Sequence, residues 1–309
     1  MSTVPPPPSL PPPQLHNTLQ PCSISHTTFI KEFPRNEDGD NSLHEAASLG
    51  QTDRLLELLE RNESREFINR RDHLGCTPLR IAASAGCPDC LRVLLAHGAD
   101  VHLTDIKAQT PLAAAVKRNH SDCVRLLLEL DADPDGDKNN LCTPLCWAVL
   151  HNCIDDVQML LDYGCDVNGV HPLTPHSPIF TPLHTAIIYG HKGIFRALLL
   201  AGARTACCHG DVKSLYQVAM EKHSTDPTWI QELYDHGVPL MKNEGNHLTS
   251  NEDSQSPVLE LFNHLLDEPR CLMSTCRIYL RHYLARHKRL KKVNNLPIPQ
   301  TLINYLLFH

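Results

Sequence analysis

The chain repeats itself. TPLRIA, TPLAAA, TPLCWA and TPLHTA begin at Thr77, Thr110, Thr143 and Thr181, at intervals of 33, 33 and 38 residues. Looser copies flank them, NSLHEA from Asn41 and KSLYQVA from Lys213, where Lys213 and Ser214 stand for Thr-Pro. A unit this short cannot bury its own apolar face, so units must stack into a continuous core.

Each copy starts a helix. A threonine hydroxyl at the N-cap accepts from an orphan N–H of the first turn. Proline next to it has no N–H to leave unpaired and a φ already helical. Leucine then opens the buried stripe. Gly50, Gly86, Asn119, Asn152 and Gly190 end these helices. A second, leucine-rich helix follows, as at Leu94-Leu95 and Leu126-Leu127-Leu128. Gly98, Gly164, Gly202 and Gly237 close it in left-handed caps. Asp131 stands at that place in one repeat, where an L side chain is strained.

This pattern resembles an ankyrin array over roughly residues 40–240. The resemblance implies an all-α solenoid of about six repeats. The insertion GVHPLTPHSPIF, between Asn168 and Thr181, accounts for the long interval and predicts a loop. Repeat six is the expected terminal cap, followed by a polar linker with a short helix over 241–268.

Two cysteines at CxxC spacing, Cys87 and Cys90, raise a zinc reading. Their phase favours packing instead. Cys90 and Cys123 both fall at the start of a second helix, at a buried aliphatic position. No metal, cofactor or catalytic residue is assigned. His44 and His184 are the fourth residues of their motifs and predict hydrogen bonds to the neighbouring loop. Gly-rich phosphate loops, GxSxG and HExxH are absent.

One face of each first helix should line the concave groove that ankyrin resemblance implies. Ile81, Lys117, Arg118, Trp147, Leu150, His151, Ile188 and Tyr189 fall on or near it. They are the candidate target contacts, with packing between helices as the alternative. An exposed Trp147 would be an interface anchor.

Charge is uneven. The chain is −7 overall, yet residues 271–309 hold seven Lys/Arg and no acid, leaving 21 basic against 35 acidic residues elsewhere. That balance argues against a generally basic nucleic-acid surface. No apolar run reaches the ~18 residues of a membrane span. Thirteen cysteines without a framework read as reduced thiols in the cytosol or nucleus. Residues 1–35 form a proline-rich leader, either a disordered tail or a ligand for a proline-binding domain.

The C-terminal stretch has another logic. Leu272, Cys276 and Leu280 lie four residues apart, one stripe on a helix. Leu296-Pro297-Ile298-Pro299 predicts an extended, proline-locked segment before a short amphipathic end. Over 269–309 this resembles a SOCS box, with Cys271 where that family has a small residue before the leucine. A helical hairpin capping the array is the alternative. The run Arg286 to Lys292 is either a linker or a nuclear-import signal.

Array and box together resemble the ankyrin-repeat and SOCS-box family. The resemblance implies a non-catalytic substrate-recognition subunit of a cullin-RING ubiquitin ligase. Leu272, Cys276 and Leu280 would bind elongin C, joined by elongin B. Leu296, Pro297, Ile298 and Pro299 would contact cullin five with its RING protein. The array would hold an unknown target protein. The alternative is an ankyrin scaffold without a ligase role.

Overall fold

The computed structural model describes residues 42–60, 67–140, 142–169, 171–172, 179–205, 214–238, 257–267 and 280. Six helix pairs follow one another. They are α1 (Ser42–Ser48) with α2 (Thr52–Glu60), α3 (Pro78–Ala85) with α4 (Pro88–Ala96), and α5 (Pro111–Lys117) with α6 (Ser121–Glu129). Next come α7 (Pro144–Leu150) with α8 (Ile154–Asp162), α9 (Pro182–Ile188) with α10 (Lys192–Leu200), and α11 (Leu215–Lys222) with α12 (Thr228–Asp235). Each first helix packs on the first helix of the next repeat, and the second helices of repeats one to five stack likewise.

The caps explain the regular starts. Thr77, Thr110, Thr143 and Thr181 each accept from the backbone N–H three residues on, with proline at the first helical position. The first helices of repeats one to five then end on a residue of positive φ, which turns the chain back to launch the partner helix; α11 ends instead at His223, φ −129°. Gly50, Gly86 and Gly190 supply this conformation, and Asn119 and Asn152 adopt it at φ 61° and 57°.

Repeat six corrects the sequence alignment by one residue. Ser214, not Lys213, takes the threonine's place, accepting from Gln217 N while the Gln217 side chain accepts from Ser214 N. Leu215 and Tyr216 follow in the Pro and Leu positions, both buried. The interval from Thr181 is then again 33 residues. The cause is chemical: a capping box can replace the Thr-Pro start.

Nor is repeat six the outermost layer. Helix α13 (Pro257–Asp267) packs on α12, and Phe262 meets Tyr216 edge to face at 5.7 Å. Val258, Phe262 and Leu265 are buried there, inside the stretch expected to be mainly linker. The insertion is not all loop. Its ends pair as a two-residue antiparallel ribbon, β1 (His171–Pro172) against β2 (Ile179–Phe180). The fold is otherwise helical among the described residues.

Polar ladders tie the repeats together where the apolar core does not reach. Asn69 Oδ1 accepts from Asp100 N, Asp135 Oδ1 from Asp166 N and Asn168 Oδ1 from Arg204 N, each linking one repeat to the next. His120 Nε2 donates to Ser84 O and His223 Nε2 to Ile187 O, again across one repeat. Neither ladder was evident from the TPL period, because each bond spans more than 30 residues.

Candidate functional site

The first helices present three columns of residues to one side. Counted from the capping residue, they lie at the fourth, seventh and eighth positions after it. Through repeats two to five the fourth-position column reads Ile81, Ala114, Trp147, Thr185. The seventh-position column reads Ser84, Lys117, Leu150, Ile188, and the eighth Ala85, Arg118, His151, Tyr189. Helical geometry puts these on one face.

Trp147 explains the arrangement. Its neighbours in the same column, Ala114 and Thr185, are small and buried. Trp147 is half-buried and packs against the core, so it is neither a free anchor nor a core residue. Lys117 lies over its ring, Nζ 4.5 Å from the centroid, and His151 stacks on it at 6.1 Å with planes 16° apart. Contacts of the cation with an indole face contribute about 0.5–2 kcal/mol, more where water is excluded.

The electrostatics of this cluster are positive. Burial lowers the Lys117 ammonium from its ordinary range, and the charges of Lys107 and Arg118 add to that. No carboxylate of the described residues lies within ion-pair distance of Lys117. His151 is also held below its usual value, first by burial. It is therefore neutral near pH 7 and stacks on Trp147 uncharged.

The other candidates split by exposure. Ile81, Leu150 and Ile188 are half-buried, and Ile81 and Ile188 pack against the core. Arg118 is half-buried at the end of α5. Tyr189 is 41% exposed and stacks on His191 at 6.0 Å. Lys117, Trp147 and His151 are brought together; Ile81 and Tyr189 stand in other repeats of the same face. Apolar hairpin tips were missed in the sequence. Leu74 and Ile106 are exposed there, Ile106 at 68%, and Ile106 N donates to Leu74 O. The signal was their position just before the TPL motifs.

Among the described residues, the histidines and cysteines that the sequence singled out serve packing and hydrogen bonding. His44 Nε2 donates to Arg70 O and Cys76 O, and burial keeps its ring below the usual value. His184 hydrogen-bonds the Thr181 hydroxyl at 2.8 Å. Cys90 and Cys123 are fully buried, with thiols pushed up to about 12 by burial. A thiol that far above neutrality is not a ready nucleophile or metal ligand. Cys87 Sγ lies 2.6 Å from Cys90 Sγ and accepts from Cys90 N. Among the described residues, no three His, Cys, Asp or Glu side chains gather to hold a metal. None of the described helices is long and apolar enough to cross a membrane.

Of the C-terminal candidates, Leu280 is helical and 43% exposed. Leu272, Cys276 and Leu296 to Pro299 lie outside the described residues.

Comparison with known proteins places both halves. Residues 22–105 and 98–170 match ankyrin repeats (3 copies), and 180–211 match a further ankyrin repeat. Residues 268–307 match the SOCS box. Human Ankyrin repeat and SOCS box protein 1 is 42% identical, the match covering 89% of this chain and 91% of that one. Human Ankyrin repeat and SOCS box protein 12 is 46% identical over 88% and 94%. The crystal structure of the human ASB11 ankyrin repeat domain superposes with a TM-score of 0.58 at 23% identity. It covers 75% of this chain and 100% of that domain, a likeness of fold.

Proposed function

Because the chain belongs to the ankyrin repeat and SOCS box family, we propose that it is the substrate-recognition subunit of an elongin B/C–cullin-RING ubiquitin ligase. The observation that carries this reading is the order of its parts. A SOCS box at 268–307 follows an array whose first helices carry a half-buried aromatic and basic cluster. The same two parts make up relatives matched along most of their length.

In this reading the box is one handle with two grips. Leu272, Cys276 and Leu280, spaced four residues apart in the sequence, would enter an apolar pocket of elongin C, with elongin B alongside. Burying one leucine there contributes ~2 kcal/mol. Leu296 to Pro299 contact cullin five. The face of Lys117, Arg118, Trp147, Leu150 and His151, extended by Ile81 and Tyr189, holds the target. Catalysis is proximity: the RING protein brings a charged conjugating enzyme to target lysines, and this chain does no chemistry. The buried thiols of the repeats suit a reducing compartment, the cytosol or nucleus.

The test is capture of elongin B/C and cullin five by the full chain. Leu272→Pro with Cys276→Phe should abolish elongin capture, since Pro stops the helix and Phe overfills the pocket. Pro297→Ala with Pro299→Ala should spare elongin and weaken cullin five. If the unmodified chain captures no elongin B/C, the ligase reading falls and a scaffold role replaces it.

A further inference from the structure

Among repeats two to five, only repeat two has sulfur at both the cap and the third position of its second helix. The cap column reads Cys87, His120, Cys153, His191, and the third-position column Cys90, Cys123, Asp156, Ile194. Cys87 takes the N-cap place of α4, and its Sγ accepts from Cys90 N. A thiol is a weak acceptor, and serine, aspartate or asparagine would cap the helix better. What the sulfur has there is a second sulfur. The Cys87 thiol donates to Cys90 Sγ at 2.6 Å. An S–S bond is about 2.05 Å long, so the pair can close with little movement of the chain.

The two thiols differ in access. Cys87 is half-buried. Gly86, just before it, lines a cavity of about 310 Å³ together with Asn119, His120, Ser121, Asp122 and Cys123. Cys90 is fully buried, with the Thr52 hydroxyl of repeat one 3.5 Å from its sulfur. Burial, and next the contact with Cys87, push the Cys90 thiol up from its ordinary value. A reagent from solvent therefore meets Cys87 first. Cys90 reacts only with what Cys87 has already bound, and does so through proximity.

We infer that Cys87 and Cys90 form a reversible dithiol–disulfide site whose substrate is a low-molecular-weight disulfide. Cys87 Sγ, having given up its proton, attacks one sulfur of the small disulfide. That S–S bond breaks as a mixed disulfide forms on Cys87, and the departing thiolate takes up a proton. Cys90 Sγ then attacks the Cys87 sulfur. The internal disulfide forms, the Cys90 proton goes to the second departing thiolate, and a second small thiol leaves. Two protein thiols lose two electrons between them, and one small disulfide becomes two thiols. An excess of small thiol runs both steps backward, so a reducing compartment holds the pair as thiols. This inference depends neither on the ligase reading nor on the target face.

The test uses the full chain, reduced, freed of small thiols and exposed to glutathione disulfide. Samples are quenched in acid, alkylated in denaturant and cut with trypsin. The peptide spanning 81–92 carries Cys87 and Cys90 and no other cysteine, and the peptide spanning 119–125 carries Cys123. Mass spectrometry should find 81–92 closed on itself and unalkylated, at least about tenfold sooner than 119–125 acquires glutathione. Dithiothreitol should return it to the doubly alkylated form. In Cys90→Ser, glutathione should stay on Cys87. Cys87→Ser keeps a hydroxyl for the helix cap and should leave Cys90 free to be alkylated. Four results each overturn the inference. They are an 81–92 peptide still doubly alkylated after the oxidant, glutathione retained on Cys87 of the unmodified chain, a cross-link from 81–92 to 119–125, and modification of Cys90 in Cys87→Ser.

Discussion

The Arg80 guanidinium reaches from α3 to Asp105 in the following hairpin, Nη2 to Oδ2 at 2.5 Å. The same carboxylate organises the hairpin, Oδ1 accepting from Lys107 N and Gln109 N at 2.8 Å each. Arg80 also donates to Gln109 Oε1. Both partners are largely buried, so the pair is not a surface ion pair of negligible worth. Asp105→Ala would leave a buried guanidinium and two backbone N–H groups unmatched. The expected loss is about 3 kcal/mol in urea denaturation. A loss under about 1 kcal/mol would mean that water already screens the pair.

Gly86 has two reasons to be glycine. Its φ is +73°, and an added Cβ would lie 2.5 Å from His120 Nδ1. His120 cannot move aside freely, because its Nε2 donates to Ser84 O. Gly86→Ala should therefore destabilise the array by about 2 kcal/mol, of which roughly 1 is the left-handed backbone. Gly98 makes the contrast, with φ +91° and open space around its Cβ. Gly98→Ala should lose only the backbone part. Comparing the two melting temperatures separates strain from collision.

How much of this was legible follows from distance along the chain. The caps were, because Thr143, Pro144 and Leu145 act within one turn and each leaves its residue type in place. The left-handed ends were too, since Asn119 and Asn152 are the side chains that tolerate that conformation. The Gly86–His120 contact was not, because nothing local to either residue announces the other. Nor was the seating of the Lys117 ammonium over the Trp147 ring, because the two residues stand in successive repeats. Repeat six was misphased because Lys-Ser-Leu mimics Thr-Pro-Leu, and only the Ser214–Gln217 capping box shows the true start.

Ala108 is a defect open to improvement. It has φ +56° in the hairpin before Thr110, where Gly75 does the same work at φ +73° in the preceding repeat. A Cβ in this region costs roughly 1–2 kcal/mol. Ala108→Gly should stabilise the array by about 1 kcal/mol, less the extra entropy of glycine in the unfolded chain. An unchanged or lower denaturation midpoint would show that the Ala108 methyl makes contacts worth the strain.

Asp156 carries the clearest pH signature. It sits in the first turn of α8, fully buried. Neither carboxylate oxygen has a hydrogen-bond partner of good geometry among the described residues, though the Ser121 hydroxyl lies close enough to offer partial relief. The helix N-terminus and His151 favour the charged form, while burial and Asp155 oppose it, and burial is the largest influence. The folded carboxyl is thus raised above its ordinary value of 3.8. The native state then holds the proton more tightly than the unfolded chain does. Its contribution to stability is greatest below the unfolded value and is lost as pH rises through the folded one. Asp156→Asn removes that dependence. The variant should match the parent at about pH 3.5 and exceed it by about 1 kcal/mol at pH 7. Denaturation midpoints of both proteins across that range are the measurement. If the difference between them stays constant with pH, or grows as pH falls, the carboxylate is better solvated than its burial implies.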